Sequence, residues 1–489
     1  MKIFSYNFPG ISLQHCLKIG YAVVFMVCSA GMISCRKQEP FSLNALERAS
    51  KTVGFNVQLP GHNPAVNTYA INDNEENAVK MVDILAFKIV NKGLANEYET
   101  FAYSVSGTDI STPDAANTAG KSFRAALRID NDNYYRFVVL ANVHEELSKV
   151  IINEGERKEA VLTKLTFSKS GAWNASSVLS YDAFPMWGET ECAVISGSTT
   201  SLNSIALVRS LARIDVVLSK TAISNFQITT VSLANSYSQG LIAPVPYNFD
   251  GNVVRSESIP PEAQRNNGLL TYQVLSPGKS LQQEIYALES PKSSLLPNQT
   301  EGTELIIGGR YQGSDVDTYY RVAFIDGSGN ALPLLRNYKY TVNITAVGGA
   351  GYASISDAQS NIPINMEVDL KQLDDGGLNV ISTDGQYILA LGTDQVEVGA
   401  AKGQVIRVRI SSVGASWFAY SDPKDANWID LNREVDPIDG KSNLLINIIA
   451  TNLGLSGPRT GKITVRLGDA NATIGRISKT ITVTQRDTN

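Results

Sequence analysis

The chain has 489 residues, with 42 Lys and Arg against 47 Asp and Glu, and its net charge of −5 is spread without strong blocks. That balance excludes the basic face needed to hold nucleic acid. The length exceeds what one hydrophobic core can serve, so about two to four domains are expected.

Residues 1–34 contain no acidic residue and end in an apolar run, Ile19 to Ile33, behind a positive flank of Lys2 and Lys18. Ser29, Ala30, Gly31 and Ser34 supply small residues just ahead of Cys35. This is the grammar of a secretory signal peptide, and the apolar run is too short for a comfortable membrane span. With a cysteine at the cut, residues 1–34 resemble a bacterial lipoprotein signal. The resemblance implies cleavage before Cys35, acylation of that residue and an anchor in the outer membrane. Of the four cysteines, Cys16 and Cys28 would leave with the signal and Cys35 would carry lipid. Cys192 then stands alone, so the fold must rest on its core and not on disulfides.

Beyond Pro40 the pattern has period two, and β-branched and aromatic runs alternate with Gly, Asn, Asp and Ser clusters. The expectation is an all-β protein. Tyr135–Leu140, Thr271–Val274, Tyr319–Phe324 and Tyr338–Ile344 read as strands, and Asp326–Asn330 reads as a hairpin loop. Short helices are expected only near Asn74–Lys80 and Glu145–Asn153. Ile205 to Leu218 reads as one long strand. Its core face carries Val208, Ala212, Ile214, Val216 and Leu218, and its other face carries Leu207, Arg209, Leu211, Arg213 and Asp215. Arg209, set between two leucines, is expected to be half-buried and to pair with a carboxylate or carbonyl that pins two layers or two domains together. The clearest linker is Asp374-Asp-Gly-Gly377, and a softer boundary lies near Ser196–Ser201.

Several segments, in order, resemble the Bacteroidetes-type fimbrillins, subunits of protease-assembled pili. These are Asn74–Phe87, Tyr135–Asn142, Phe184-Pro-Met-Trp-Gly-Glu189, Leu207–Val216, Phe226–Asn235, Ile285–Glu289 and Leu335–Ile344. The resemblance implies two transthyretin-like β-sandwiches, at 49–198 and 199–373. It also implies assembly by donor-strand exchange, in which a protease removes a first strand and a neighbour's strand fills the groove. In that family the cut follows an arginine, which makes Arg48–Ala49 the candidate processing site.

Residues 378–489 have their own signature: Trp417, Asn427-Trp-Ile429, Arg459-Thr-Gly-Lys-Ile-Thr-Val465 and Ile481-Thr-Val-Thr-Gln485. They resemble the BACON domain, an immunoglobulin-like sandwich. The family's name suggests carbohydrate binding, for which Trp417 and Trp428 are the candidate contacts. The competing and favoured reading puts both tryptophans in the core.

No enzyme is expected. His62 and His144 lack metal-spaced partners, and Pro277-Gly-Lys-Ser280 lacks the upstream glycine of a phosphate loop. Asp130-Asn-Asp-Asn133 lacks the glycine and distal Glu of a calcium loop. No metal or other cofactor is called for. The last strand, Ile477–Gln485, reads as part of the terminal sandwich, which disfavours a stalk subunit. The expected function is a fimbrial subunit at the cell surface, placed at the tip as an adhesin, whose partners are other pilus subunits and a glycan or protein ligand. A subunit that keeps its lipid and is never cut belongs at the base. The alternative is a monomeric surface lipoprotein that binds glycans through its C-terminal domain.

Overall fold

A computed structural model describes residues 49–59, 76–111, 120–173, 182–245, 249–250, 253–254, 258–266, 268–274, 280–291, 302–371, 380–422, 424, 426–435, 442–454, 457–468 and 477–488. The signal segment, Cys35, Arg48, His62 and the linker at 374–377 lie outside them. The protein is an all-β, multidomain sandwich, as its period-two patterning requires.

The first sandwich is built around its leading strand, Ser50–Gln58. Every residue of that strand pairs antiparallel with Gly120–Arg128, from Ser50↔Arg128 to Gln58↔Gly120. Its other edge pairs parallel with Ser201–Ala206. Val53, Phe55 and Val57 alternate inward and are buried. The Phe55 ring stacks on Phe123 at 4.9 Å and meets Phe137 edge-on at 6.4 Å. The facing sheet sets Val82–Val90 between Tyr98–Ser106 and Asp130–Ala141, then adds Met186–Glu189 and Val208–Arg209. Phe184-Pro-Met-Trp-Gly-Glu189 is thus largely strand. Gly188 is required there because a Cβ would lie 2.3 Å from the Ala206 carbonyl oxygen.

The run read as one strand from Ile205 to Leu218 is divided among three sheets. Ser201–Ala206 and Val208–Arg209 belong to the two sheets of the first sandwich, and Ala212–Leu218 to the second. The breaks fall at Leu207 and at Ser210–Leu211, all buried. The buried apolar residues Ile205, Leu207, Val208, Leu211, Ala212 and Ile214 run through both breaks, so the hydrophobic pattern continues across each change of sheet. Ser196–Ser201 is accordingly a turn inside the first sandwich, closed by Thr199 N–H to the Ser196 carbonyl at 3.1 Å. The crossing to the second sandwich comes after Arg209. There Ser210 Oγ donates to Ile242 O at 2.8 Å and Asn337 N–H to Leu211 O at 2.8 Å.

Helices are short, and His144–Ser148 matches the expected position near Glu145. Near Asn74–Lys80 the described residues form a turn at Glu76–Asn77, not a helix. The Glu76 carbonyl, which a helix would use, accepts from Arg209 instead.

The second sandwich faces the sheet Leu270–Gln273, Phe226–Ala234, Glu304–Tyr311, Thr318–Ala323 against Leu281–Ala287, Ala212–Leu218, Lys339–Val347 and Met366–Lys371. The latter sheet does not stop at the linker. Met366–Lys371 pairs antiparallel with Val380–Thr383, which turns into Ile388–Leu391, and the sheet runs on through Val405–Val413, Ser442–Ile448 and Ile429–Val435. A single nine-stranded sheet therefore serves two sandwiches. The hairpin Val380–Leu391 divides its side chains between the two cores. Ile381, Ile388 and Ala390 pack in the second, and Val380, Leu389 and Leu391 in the third. Asp369 ties the layers further, accepting from Ser382 Oγ at 2.8 Å and pairing with Lys479 at 2.5 Å.

A shared hairpin should couple the stabilities of the two cores. Ile381→Ala is expected to cost about 2–5 kcal/mol, as buried large-to-small changes do. Amide hydrogen exchange should then show protection lost together in Lys339–Lys371 and Val405–Ile448. Loss confined to residues 380–488 would show that the hairpin serves the third core alone.

Candidate functional site

The elements at issue are the strand Ser50–Gln58, the strand Ser478–Gln485 and the polar junction between the first two sandwiches. Pairing of the leading strand begins immediately after Arg48. Ala49 is exposed, and its carbonyl accepts from Ile129 N–H at 2.8 Å. The next arginine after Arg48 is Arg124, in the neighbouring strand. Cleavage at Arg48 would leave Ser50–Gln58 seated, with Phe55 still between Phe123 and Phe137.

The closing strand, Ser478–Gln485, lies between Gln395–Val398 and Arg459–Leu467. Ile481 and Val483 are fully buried. Gln485 latches its end: Nε2 donates to Ala400 O at 2.9 Å and Ala450 O at 3.1 Å, and Oε1 accepts from Arg459 Nε at 2.9 Å. Lending this strand to a neighbour would open the third core.

The junction is held by buried arginines. Arg209 is fully buried, not half-buried, because layers close over it on both sides. Its Nε donates to the Glu76 carbonyl at 3.0 Å, Nη1 to Asn337 Oδ1 at 3.2 Å, and Nη2 to Asn77 Oδ1. It thereby connects three chain segments far apart in sequence. Two residues on, Arg213 grips Asp215 in bidentate fashion at 2.7 and 2.9 Å and reaches Glu76 Oε1 at 3.2 Å. Glu76 also accepts from the Tyr286 hydroxyl. Burial, with Glu76 beside it, pushes that phenol well above its ordinary value. Close by, Arg336 donates to Leu241 O at 3.0 Å, Ile242 O at 2.8 Å and Glu289 Oε2 at 2.5 Å. Sequence reading singled out Arg209 but missed Glu76, Asn77, Asn337 and the Arg336–Glu289 pair. The signal available was a charge inside an apolar strand, and the partners are distant in the chain.

Trp417 and Trp428 are 5% and 3% exposed and belong to the third core. Arg433 covers the Trp417 ring at 4.6 Å, and Arg459 covers Trp428 at 4.6 Å. His144 pairs with Asp83 at 3.0 Å. Asp130–Asn133, expected as a turn, opens the strand Asp130–Ala141, where Asp130 accepts from Asn133 Nδ2 at 2.9 Å and from the Tyr135 hydroxyl at 2.7 Å. Among the described residues no three His, Cys, Asp or Glu gather as a metal site, and no helix is long and apolar enough to cross a membrane.

Comparison with solved structures finds several matching chains. A fimbrial assembly protein from Parabacteroides distasonis is 11% identical, with 67% of this chain and 97% of that one covered and a TM-score of 0.34. A candidate cell-adhesion protein from Bacteroides ovatus is 12% identical, with 61% and 93% covered and a TM-score of 0.31. A candidate adhesin from Bacteroides ovatus is 12% identical, with 67% and 93% covered and a TM-score of 0.28. No curated protein matches the chain. A family model described as fimbrillin-A associated anchor proteins Mfa1 and Mfa2 matches residues 50–371, the span of the first two sandwiches. More than half of the chain is matched, and the protein belongs to this family of fimbrial, non-enzymatic proteins.

Proposed function

We propose that this protein is a terminal subunit of a surface pilus, held at the base by lipid on Cys35, and that its first sandwich keeps its own leading strand. The observation that carries the reading is that strand: Ser50–Gln58 is paired along its full length, and no arginine lies between Arg48 and Arg124. Cleavage after Arg48 would release only the residues before it, so Ser50–Gln58 stays in the sandwich with or without that cut. A sandwich whose groove stays filled does not accept a donated strand without expelling its own. The latched closing strand argues in the same direction, because donating it would cost the third core. The family's description as anchor proteins agrees with a basal place. The tip position expected from sequence rested on a strand that stays home, a feature the base shares. Any donor-strand exchange in this reading uses an element other than these two strands. In this reading residues 378–489 form a BACON-like sandwich that extends the second sandwich as a rigid spacer. Trp417 and Trp428 are core residues there, since an arginine covers each ring.

Mass spectrometry and N-terminal sequencing of the mature protein from its native surface test this. The expected chain begins at acylated Cys35 and retains Ser50–Gln58. A lipid-free chain beginning at Ala49 would restore the tip reading. A chain lacking residues 50–58 would overturn the self-filled sandwich.

A further inference from the structure

A cleft of about 730 Å³ opens where the second and third sandwiches meet. One wall is the outer face of Met366–Lys371, with Glu367 on it and Asn365 at its start. The other comprises the turn before Ile388, with Gln386 and Tyr387, together with Tyr420 and Arg466 from the third sandwich. Neither wall makes the site alone.

The cleft is pre-formed. The hairpin Val380–Leu391 fixes one sandwich to the other through continuous backbone pairing. Asp384 stiffens the turn by accepting from Gln386 N–H at 3.0 Å and Tyr387 N–H at 2.9 Å. Tyr387 sits close over Gly414, where a Cβ would lie 2.6 Å from the ring. Tyr420 is half exposed and braced by Phe418, whose ring is 6.0 Å away and nearly parallel. Asn365 is held by its Nδ2, which donates to Ala350 O at 2.8 Å.

Braced tyrosine rings beside carboxamides and a carboxyl make a combination of stated chemistry. A pyranose presents a C–H face to an aromatic ring and hydroxyls around its rim to planar side chains, and pre-formed pockets with a few placed polar groups fix such ligands. The lining acids, Glu367 and Asp384, outnumber Arg466, which disfavours an anionic sugar. Burial holds the Glu367 carboxyl above its ordinary value.

We propose that this cleft binds a short neutral oligosaccharide, with Tyr387 and Tyr420 against the ring faces and Asn365, Gln386 and Glu367 at the hydroxyls. The site is independent of how the leading strand is processed, so it stands or falls separately from the basal reading.

Saturation-transfer NMR and titration calorimetry on the full-length mature chain test it. The probes are purified neutral gluco-, manno- and galacto-oligosaccharides, an N-acetylhexosamine series and a sialylated trisaccharide. A neutral member should bind, and Tyr420→Ala should weaken it about two- to tenfold, the scale of losing one aromatic contact. Gln386→Ala should weaken it as well, and neither exposed substitution should move the melting temperature. The proposal is overturned if no neutral sugar binds, if the sialylated probe binds tighter than its neutral counterpart, or if both variants bind like the parent.

Discussion

Arg336→Met is expected to cost about 3–5 kcal/mol, the usual effect of removing one partner from a buried ion pair. Arg336 is fully buried, and its guanidinium reaches two backbone carbonyls and the Glu289 carboxylate. Met fills much of the volume and satisfies none of the three. Chemical denaturation followed by intrinsic fluorescence reads the loss. A double variant, Arg336→Met with Glu289→Leu, should recover most of it, because the penalty lies in the stranded charge and not in the missing attraction. A double variant as unstable as the single one would refute that account.

The pH dependence of this variant has a definite sign. Burial, the largest influence, holds the Glu289 carboxyl above its ordinary value, and Arg336 opposes that rise. Removing the guanidinium sends the folded-state pKa higher still. A carboxyl with a raised folded pKa contributes stability that is present below its unfolded value and lost as pH rises through the folded one. The deficit of Arg336→Met should therefore narrow toward acid and widen toward neutral pH. A deficit that widens below neutrality would reverse the assignment.

Phe55→Ala is expected to cost about 3–5 kcal/mol, the range for deleting a buried phenylalanine ring. The ring is fully buried between Phe123 and Phe137, so the cavity opens at the centre of the first sandwich. A large molecule with several cores need not unfold in one step. Hydrogen exchange should show protection falling first in Ser50–Gln58, Gly120–Arg128 and Ser201–Ala206, with the third sandwich unchanged. Such a variant also tests the proposed function, because a loosened leading strand is the one a neighbour's strand could displace. If Phe55→Ala leaves those three strands as protected as before, the leading strand is not what holds the groove.

Some of this architecture is legible in the sequence. Alternation in Tyr135–Leu140 and Tyr338–Ile344 reports one buried face, and Asp326-Gly-Ser-Gly-Asn330 carries the chemistry of a tight loop. That loop closes with Asp326 accepting from Ser328 and Asn330 N–H, and Gly329 takes a φ of +84°. Other features were hidden because their cause is not local. Nothing between Ile205 and Leu218 announces a change of sheet, since buried apolar residues continue through both breaks. Likewise Val380–Leu391 reads as the start of a new domain, although half of its side chains complete the previous core. Alternation shows that a strand has two faces; it does not show which core each face meets.

The sequence by itself determined the all-β class, the strand periodicity, the segments shared with the fimbrial family and the presence of a charge, Arg209, inside an apolar strand. Those are properties of neighbours in the chain, where side-chain period and turn chemistry act over a few residues. Only the tertiary structure decided the partners. Arg209 meets Asn77 and Asn337, Arg336 meets Glu289, one sheet joins two sandwiches, and the cleft sets Asn365 and Glu367 from before the linker against Gln386, Tyr387 and Tyr420 from after it. Each of these depends on which distant strands lie side by side, and that follows from burying all the cores at once.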